Sequence, residues 1–64
     1  QSGRRLLPVE VKASRVVRVN DAKGLDTFCQ EFPSRAPFGL LLYDGAEALA
    51  LTRKTLAVPL GAVL

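Results

Sequence analysis

The spacing of apolar positions changes twice along the chain. Residues 5–13 (RLLPVEVKA) are rich in Leu and Val and alternate in part, which predicts a strand. Gln1-Ser2-Gly3 before them reads as the tip of a turn. Pro8 has no N–H to give a ladder, so the strand is expected at an edge, at a bulge, or beginning after it. Residues 15–19 (RVVRV) fit either an extension of the strand or a connection that packs Val16, Val17 and Val19 on the core.

From Asn20 the period becomes helical. Ala22, Leu25, Phe28, Cys29 and Phe32 form one stripe, with Asp26, Gln30 and Glu31 largely off it. Asn20 and Asp21 are suitable caps, and Pro33 ends the helix by denying the next turn a donor. Gly24 costs about 1 kcal/mol against alanine inside a helix, and a close approach to the sheet would explain it. "PSRAP" is a loop. Residues 38–43 (FGLLLY) are a continuous apolar run, expected as a strand buried on both faces. Asp44-Gly45 is a hairpin signal, and residues 47–52 (EALALT) alternate again. "RKT" is a further turn, 56–59 (LAVP) a last short strand, and 61–64 (GAVL) one helical turn or a frayed tail.

A strand, a helix of about twelve residues and a second strand suit a crossover between parallel neighbours. The later strands are expected to pair antiparallel through short turns. The fold class read from the pattern is therefore α/β, a small mixed β-sheet with one crossover helix in the order β-α-β-β-β.

Composition narrows this. The 64 residues make a single domain or a fragment of a larger one; a chain this short buries only about 60% of its unfolded surface. It begins with glutamine rather than methionine, which reads as a piece of something longer. The one cysteine, Cys29, has no internal disulfide partner, and the absence of histidine removes the mixed Cys/His zinc patterns and the usual activating base. Cys29 is expected as a small buried apolar residue in a reducing, cytoplasmic compartment. A hydrophobic content of 48% is too high for disorder. No apolar run approaches a membrane span or a secretory leader. The net charge of +3 permits an acidic partner such as nucleic acid. The basic side chains of Arg15 and Arg18 are the ones expected to meet phosphates if they lie near Lys12. The bland alternative is a solvated surface, and with one tyrosine and no tryptophan there is no base-stacking platform.

The chemistry-bearing stretch is "PVEVKAS", residues 8–14. On a strand, Leu7, Val9, Val11 and Ala13 share one face; Leu6, Pro8, Glu10 and Lys12 share the other, with Glu10 and Lys12 roughly 7 Å apart at Cβ. One reading is a solvent-facing pair on the polar side of the strand, of a kind worth roughly 0–1 kcal/mol. The other is a metal site, in which the Glu10 carboxylate supplies an oxygen to Mg²⁺ while the Lys12 ammonium orients water or steadies charge on a phosphate.

"PVEVKAS", followed by "KGLDTF" and then the "LLLYDG" strand and turn, resembles the C-terminal part of the PD-(D/E)xK nuclease-like domain attached to many prokaryotic AAA-type ATPases, a domain catalogued as of unknown function. The resemblance covers essentially the whole chain. It implies a fragment of a restriction-endonuclease-like fold, with Glu10 as the acidic metal ligand and Lys12 as the catalytic lysine. Ser14, just past the motif, is expected to serve a turn rather than the chemistry. The superfamily's other metal-binding aspartate belongs to a preceding strand, and no acidic residue precedes Glu10 here. With one carboxylate, Mg²⁺ would be held mainly by water. The fragment is therefore expected to be inactive alone, with the parent an ATPase carrying a Mg-dependent nuclease-like domain. The alternatives are a non-catalytic interaction or regulatory module of that ATPase and a plain small α/β domain. The expected partners are nucleic acid, the N-terminal ATPase portion, and further copies of the chain through an exposed edge of the first strand.

Overall fold

A computed structural model describes residues 4–63. The expected turn at Gln1–Gly3 and the last residue of the 61–64 tail lie outside the described residues. Strand β1 spans Val9–Lys12, helix α1 Lys23–Glu31, β2 Gly39–Tyr43, β3 Leu49–Ala50 and β4 Thr55–Pro59. A 3₁₀ turn, Val19–Ala22, leads into α1, and another, Leu60–Ala62, follows β4. The strands form one mixed sheet in the order β1-β2-β4-β3. The α/β class and the β-α-β-β-β order are those predicted from the pattern.

The pairing of the later strands differs from expectation. Strand β2 pairs in parallel with β1 (Val9 beside Leu40) and also in parallel with β4 (Leu41 beside Ala57). Both of its edges are therefore taken, and β3 has no place beside it. Asp44-Gly45 turns the chain without closing a β2–β3 hairpin; the antiparallel pair is β3 with β4, through the 51–54 turn. The Leu51 N–H donates to the Thr55 carbonyl across that turn, and the Tyr43 hydroxyl donates to the Glu47 carbonyl across the preceding loop.

The two faces of the sheet are unlike. On one, α1 packs over Leu41, Tyr43 and Ala57, and the core joins these to Ala22, Leu25 and Leu51, with Val17 partly buried against them. Cys29 is buried, as expected. Residues in register share a face, so the rows Val9–Leu40–Leu56–Ala50 and Val11–Leu42–Val58 line the other side. No described element covers it: Val9 is 50% and Val11 61% exposed. The Leu7/Val9/Val11 face of β1, which alternation marks as the apolar one, thus points away from the helix, and the Glu10/Lys12 face points toward it. Val16 and Val19 are likewise exposed, and only Val17 of that connection reaches the core. Strand β2 is accordingly buried on its helix side and half-buried on the other.

The helix also starts later than its cap signals suggest. Asn20 and Asp21 lie inside the 3₁₀ turn, whose N-cap is Arg18. Gly24 is the second residue of α1. A Cβ there would meet the Glu10 Oε1 at 3.8 Å, an ordinary contact, so no tight approach requires it. Between helix and sheet the tight approach is at Gly39, where a Cβ would sit 3.2 Å from Leu25 Cδ2 and 3.4 Å from Pro8 Cγ; in the turn after β2, a Cβ at Gly45 would overlap the Tyr43 ring.

Leu41 is fully buried beneath α1. Leu41→Ala is expected to cost about 2–5 kcal/mol in urea unfolding, whereas Val11→Thr on the uncovered face changes stability by no more than about 0.5 kcal/mol. Equal costs at the two positions would contradict the assignment of the faces.

Candidate functional site

The site is built where the C-terminal end of β1 meets the 3₁₀ turn. Parallel pairing with β2 extends Val9–Lys12, so Glu10 and Lys12 project from the same face, as their spacing requires. Glu10 reaches toward Gly24 at the start of α1. It is exposed and has no hydrogen-bond or ion-pair partner among the described residues. Lys12 does have one: its Nζ lies 3.0 Å from Asp21 Oδ1. The pair is only partly shielded, with side-chain exposures of 41% for Lys12 and 22% for Asp21.

Asp21 is held from two sides. Its Oδ2 accepts a 2.7 Å hydrogen bond from the Arg18 N–H, so the carboxylate reaches back to the residue that opens the turn. That backbone bond, then the Lys12 hydrogen bond, holds the Asp21 carboxyl below its usual value of 3.8, and the Lys12 and Arg18 charges add to the effect. Asp21 therefore ties the end of β1 to the entry of the crossover helix. The sequence reading saw in Asp21 only a cap. The signal for its second role is its distance from Lys12: a helix entry reached after a short connection from a strand brings its acidic first turn back beside the strand end.

Arg15 and Arg18 are both exposed at this end of the sheet. The Ser14 hydroxyl accepts from the Val16 N–H (3.2 Å) and approaches the Val16 carbonyl (2.9 Å), turning the chain at Arg15, which is the local role expected for it. Arg15 lines an open depression with Asp44, Gly45 and Ala46, while Arg18 sits beside Asp21. Of the two, only Arg18 is near enough to act on the Asp21 carboxylate; Arg15 faces the turn at 44–46.

The Mg²⁺ site that the resemblance implies does not fit these residues. Among the described residues, no three acidic, cysteine or histidine side chains gather where a cation could bind. Glu10 offers one carboxylate, and both Asp21 oxygens already accept hydrogen bonds.

A second polar cluster was not foreseen. Asp26 Oδ1 accepts hydrogen bonds from Thr52 Oγ1 (2.8 Å) and Thr55 Oγ1 (2.6 Å), and Thr52 Oγ1 in turn accepts from the Lys54 and Thr55 N–H groups. It latches α1 to the β3–β4 turn and satisfies the buried Thr55. Cys29 lies close to it; burial pushes its thiol up, against the opposing pull of Lys54, so it is a poor nucleophile.

The family model described as "Domain of unknown function (DUF4143)" matches residues 1–63, and the chain belongs to that family. No curated protein and no solved structure gives a significant match. Among the described residues no helix is long and apolar enough to cross a membrane.

The Asp21 carboxyl is expected to titrate below the usual aspartate value in a ¹³C-detected NMR pH series. In Lys12→Met the midpoint rises but stays depressed, because the Arg18 N–H is the larger cause. Since the folded state holds this proton less tightly than the unfolded chain, the stabilisation is present above 3.8 and is lost as pH falls through the lower folded value. Unfolding titrations of Asp21→Asn, which removes this dependence, are expected to converge with those of the parent chain at the acid end.

Proposed function

Starting from membership of a family whose function is undefined, we propose that the chain is a nuclease-like, PD-(D/E)xK-related module of a cytoplasmic AAA-type ATPase, without hydrolytic activity of its own, that serves the ATPase by docking. The observation that carries this reading is the commitment of Lys12 to Asp21. A lysine that is to steady a scissile phosphate must present its charge to the substrate. Here its nearest acceptor is a carboxylate of the same chain, fixed in turn by the Arg18 N–H. The ion pair makes sense as a brace between strand and crossover. It leaves Glu10 alone on an exposed face, one oxygen-ligand residue where a Mg²⁺ site relies on several carboxylate, phosphate or water oxygens.

A second reading, a Mg²⁺-dependent nuclease-like domain in which Glu10 and Lys12 are catalytic and Arg15 and Arg18 hold nucleic-acid phosphates, is favoured by one arrangement. All four residues lie at or just beyond the C-terminal end of β1, beside its parallel neighbour, the end at which α/β sheets gather their ligands. Fold alone does not choose between the two.

A Mg²⁺ titration followed by amide NMR separates them. The docking reading expects no selective shift at Glu10 or Val11 up to tens of millimolar metal, and no cleavage of single- or double-stranded DNA or RNA. Saturable shifts centred on Glu10, accompanied by cleavage that Lys12→Met abolishes, would replace it with the second reading.

A further inference from the structure

At the end of the sheet opposite Lys12 and Asp21, three segments enclose an open cleft of about 630 Å³, lined by Asp26, Gln30, Pro37, Thr52, Arg53 and Lys54. Pro37 and Lys54 come just before the parallel strands β2 and β4, which places the cleft at their N-terminal ends. Its walls are braced pairwise. Asp26 ties helix α1 to the 51–54 turn through Thr52 and Thr55. The Gly39 N–H donates to the Lys54 carbonyl at 2.7 Å, joining that turn to the loop that carries Pro37. The Ala36 N–H donates to the Phe32 carbonyl at 2.7 Å, joining the loop to the end of the helix. A cleft braced on three sides has its shape before anything binds, which lowers the ordering cost of binding.

The charges in the cleft are unbalanced. Asp26 Oδ1 is taken up by two hydroxyls. Arg53 and Lys54 have no ion-pair partner, because the one ion pair among the described residues joins Lys12 to Asp21. Basic residues elsewhere are answered locally: Lys12 by Asp21, and Arg15 by the Asp44 that shares its depression.

We propose that this cleft binds an acidic peptide segment of a partner protein, with Arg53 and Lys54 taking its carboxylates and Asp26 and Gln30 its peptide groups. The lining selects that ligand. Two adjacent cations call for anions, and the planar fork of an arginine matches a carboxylate. Asp26 Oδ2 accepts no hydrogen bond among the described residues and remains for a peptide N–H. The Gln30 amide offers both a donor and an acceptor, as a peptide group does. A nucleic-acid strand fits less well: Asp26 repels its phosphates, and no aromatic side chain lines the cleft to stack a base. The volume is that of a cleft for an extended ligand rather than for a lone ion.

The inference deepens the docking reading by naming the chemistry of the partner and rests on it only in that respect. The test titrates the ¹⁵N-labelled 64-residue chain with a short capped peptide rich in aspartate and, separately, with its asparagine counterpart. The aspartate peptide is expected to shift the amides of Gln30, Phe38 and residues 52–54 saturably, and less so in high salt; the asparagine peptide is expected to leave them in place. Arg53→Gln and Lys54→Gln should each weaken binding roughly two- to fivefold, and the double variant should abolish it. Neither side chain makes a hydrogen bond or ion pair among the described residues, so these variants keep the parent fold. Arg15→Gln should bind as the parent chain does. No saturable shift, equal shifts with the asparagine peptide, shifts centred on Arg15 and Arg18, or unchanged affinity in the double variant would each overturn the proposal. Tighter binding of a single-stranded oligonucleotide at the same amides would overturn it in favour of a phosphate ligand. A cleft that ignores the peptide in a chain that also ignores Mg²⁺ would leave the docking reading standing on another surface; peptide binding alongside metal-dependent cleavage would leave the cleft standing and remove the docking reading.

Discussion

The parallel hydrogen bonding of β2 to both of its neighbours is the constraint from which the rest of the molecule follows. A central strand with two parallel partners cannot receive a hairpin return, so the chain after Tyr43 must cross beyond β4 before it can come back. The crossover before β2 must carry a helix over one face, and that helix puts Ala22 and Leu25 against Leu41 and its neighbours and buries Cys29. The closeness of helix and sheet shows at Gly39, where a Cβ would press on Leu25 and Pro8. The same constraint leaves β1 at the margin of the sheet and brings its C-terminal end beside the entry of the helix, where Lys12 finds Asp21.

Much of this was legible in the sequence. Of the five members of the helical stripe, Ala22, Leu25 and Cys29 are buried, Phe28 is half-buried and Phe32 is exposed; the apolar run at 38–43 located the central strand. The shared side of Glu10 and Lys12 followed from strand periodicity alone. What could not be read was which face of β1 the helix would cover. Alternation distinguishes two faces but attaches the core to the apolar one by default, and here the two faces serve different neighbours. The charged face meets a helix entry that offers an aspartate, and the aliphatic face continues in Leu40, Leu42, Leu56 and Val58 across the sheet. The hairpin signal misled for a related reason. Asp44-Gly45 reports a local turn, while strand partnership is decided by which edges remain vacant after long-range pairing.

The candidate site was legible in its residue types and not in its connections. The residues of the ExK stretch identify themselves, but the acceptor that engages Lys12 is nine positions on, in a segment whose composition announces a cap. Asp21 does both jobs with two oxygens, one for the strand and one for the turn. The Asp26 latch escaped for the opposite reason: its partners, Thr52 and Thr55, are far along the chain and unremarkable in composition, and their convergence depends on β4 entering the sheet next to β2.

That entry has a consequence for how the chain comes together. The interior partner of β2 is the last strand in the sequence, so the middle of the sheet is completed only by residues 55–59. During synthesis, β1, the helix and β2 emerge with one flank of the central strand bare and Thr55 not yet available to Asp26. Contacts between distant segments form slowly and leave sticky intermediates exposed. The central strand therefore keeps a bare flank until residues 55–59 join it, and the interior between helix and sheet is closed by the last strand to enter.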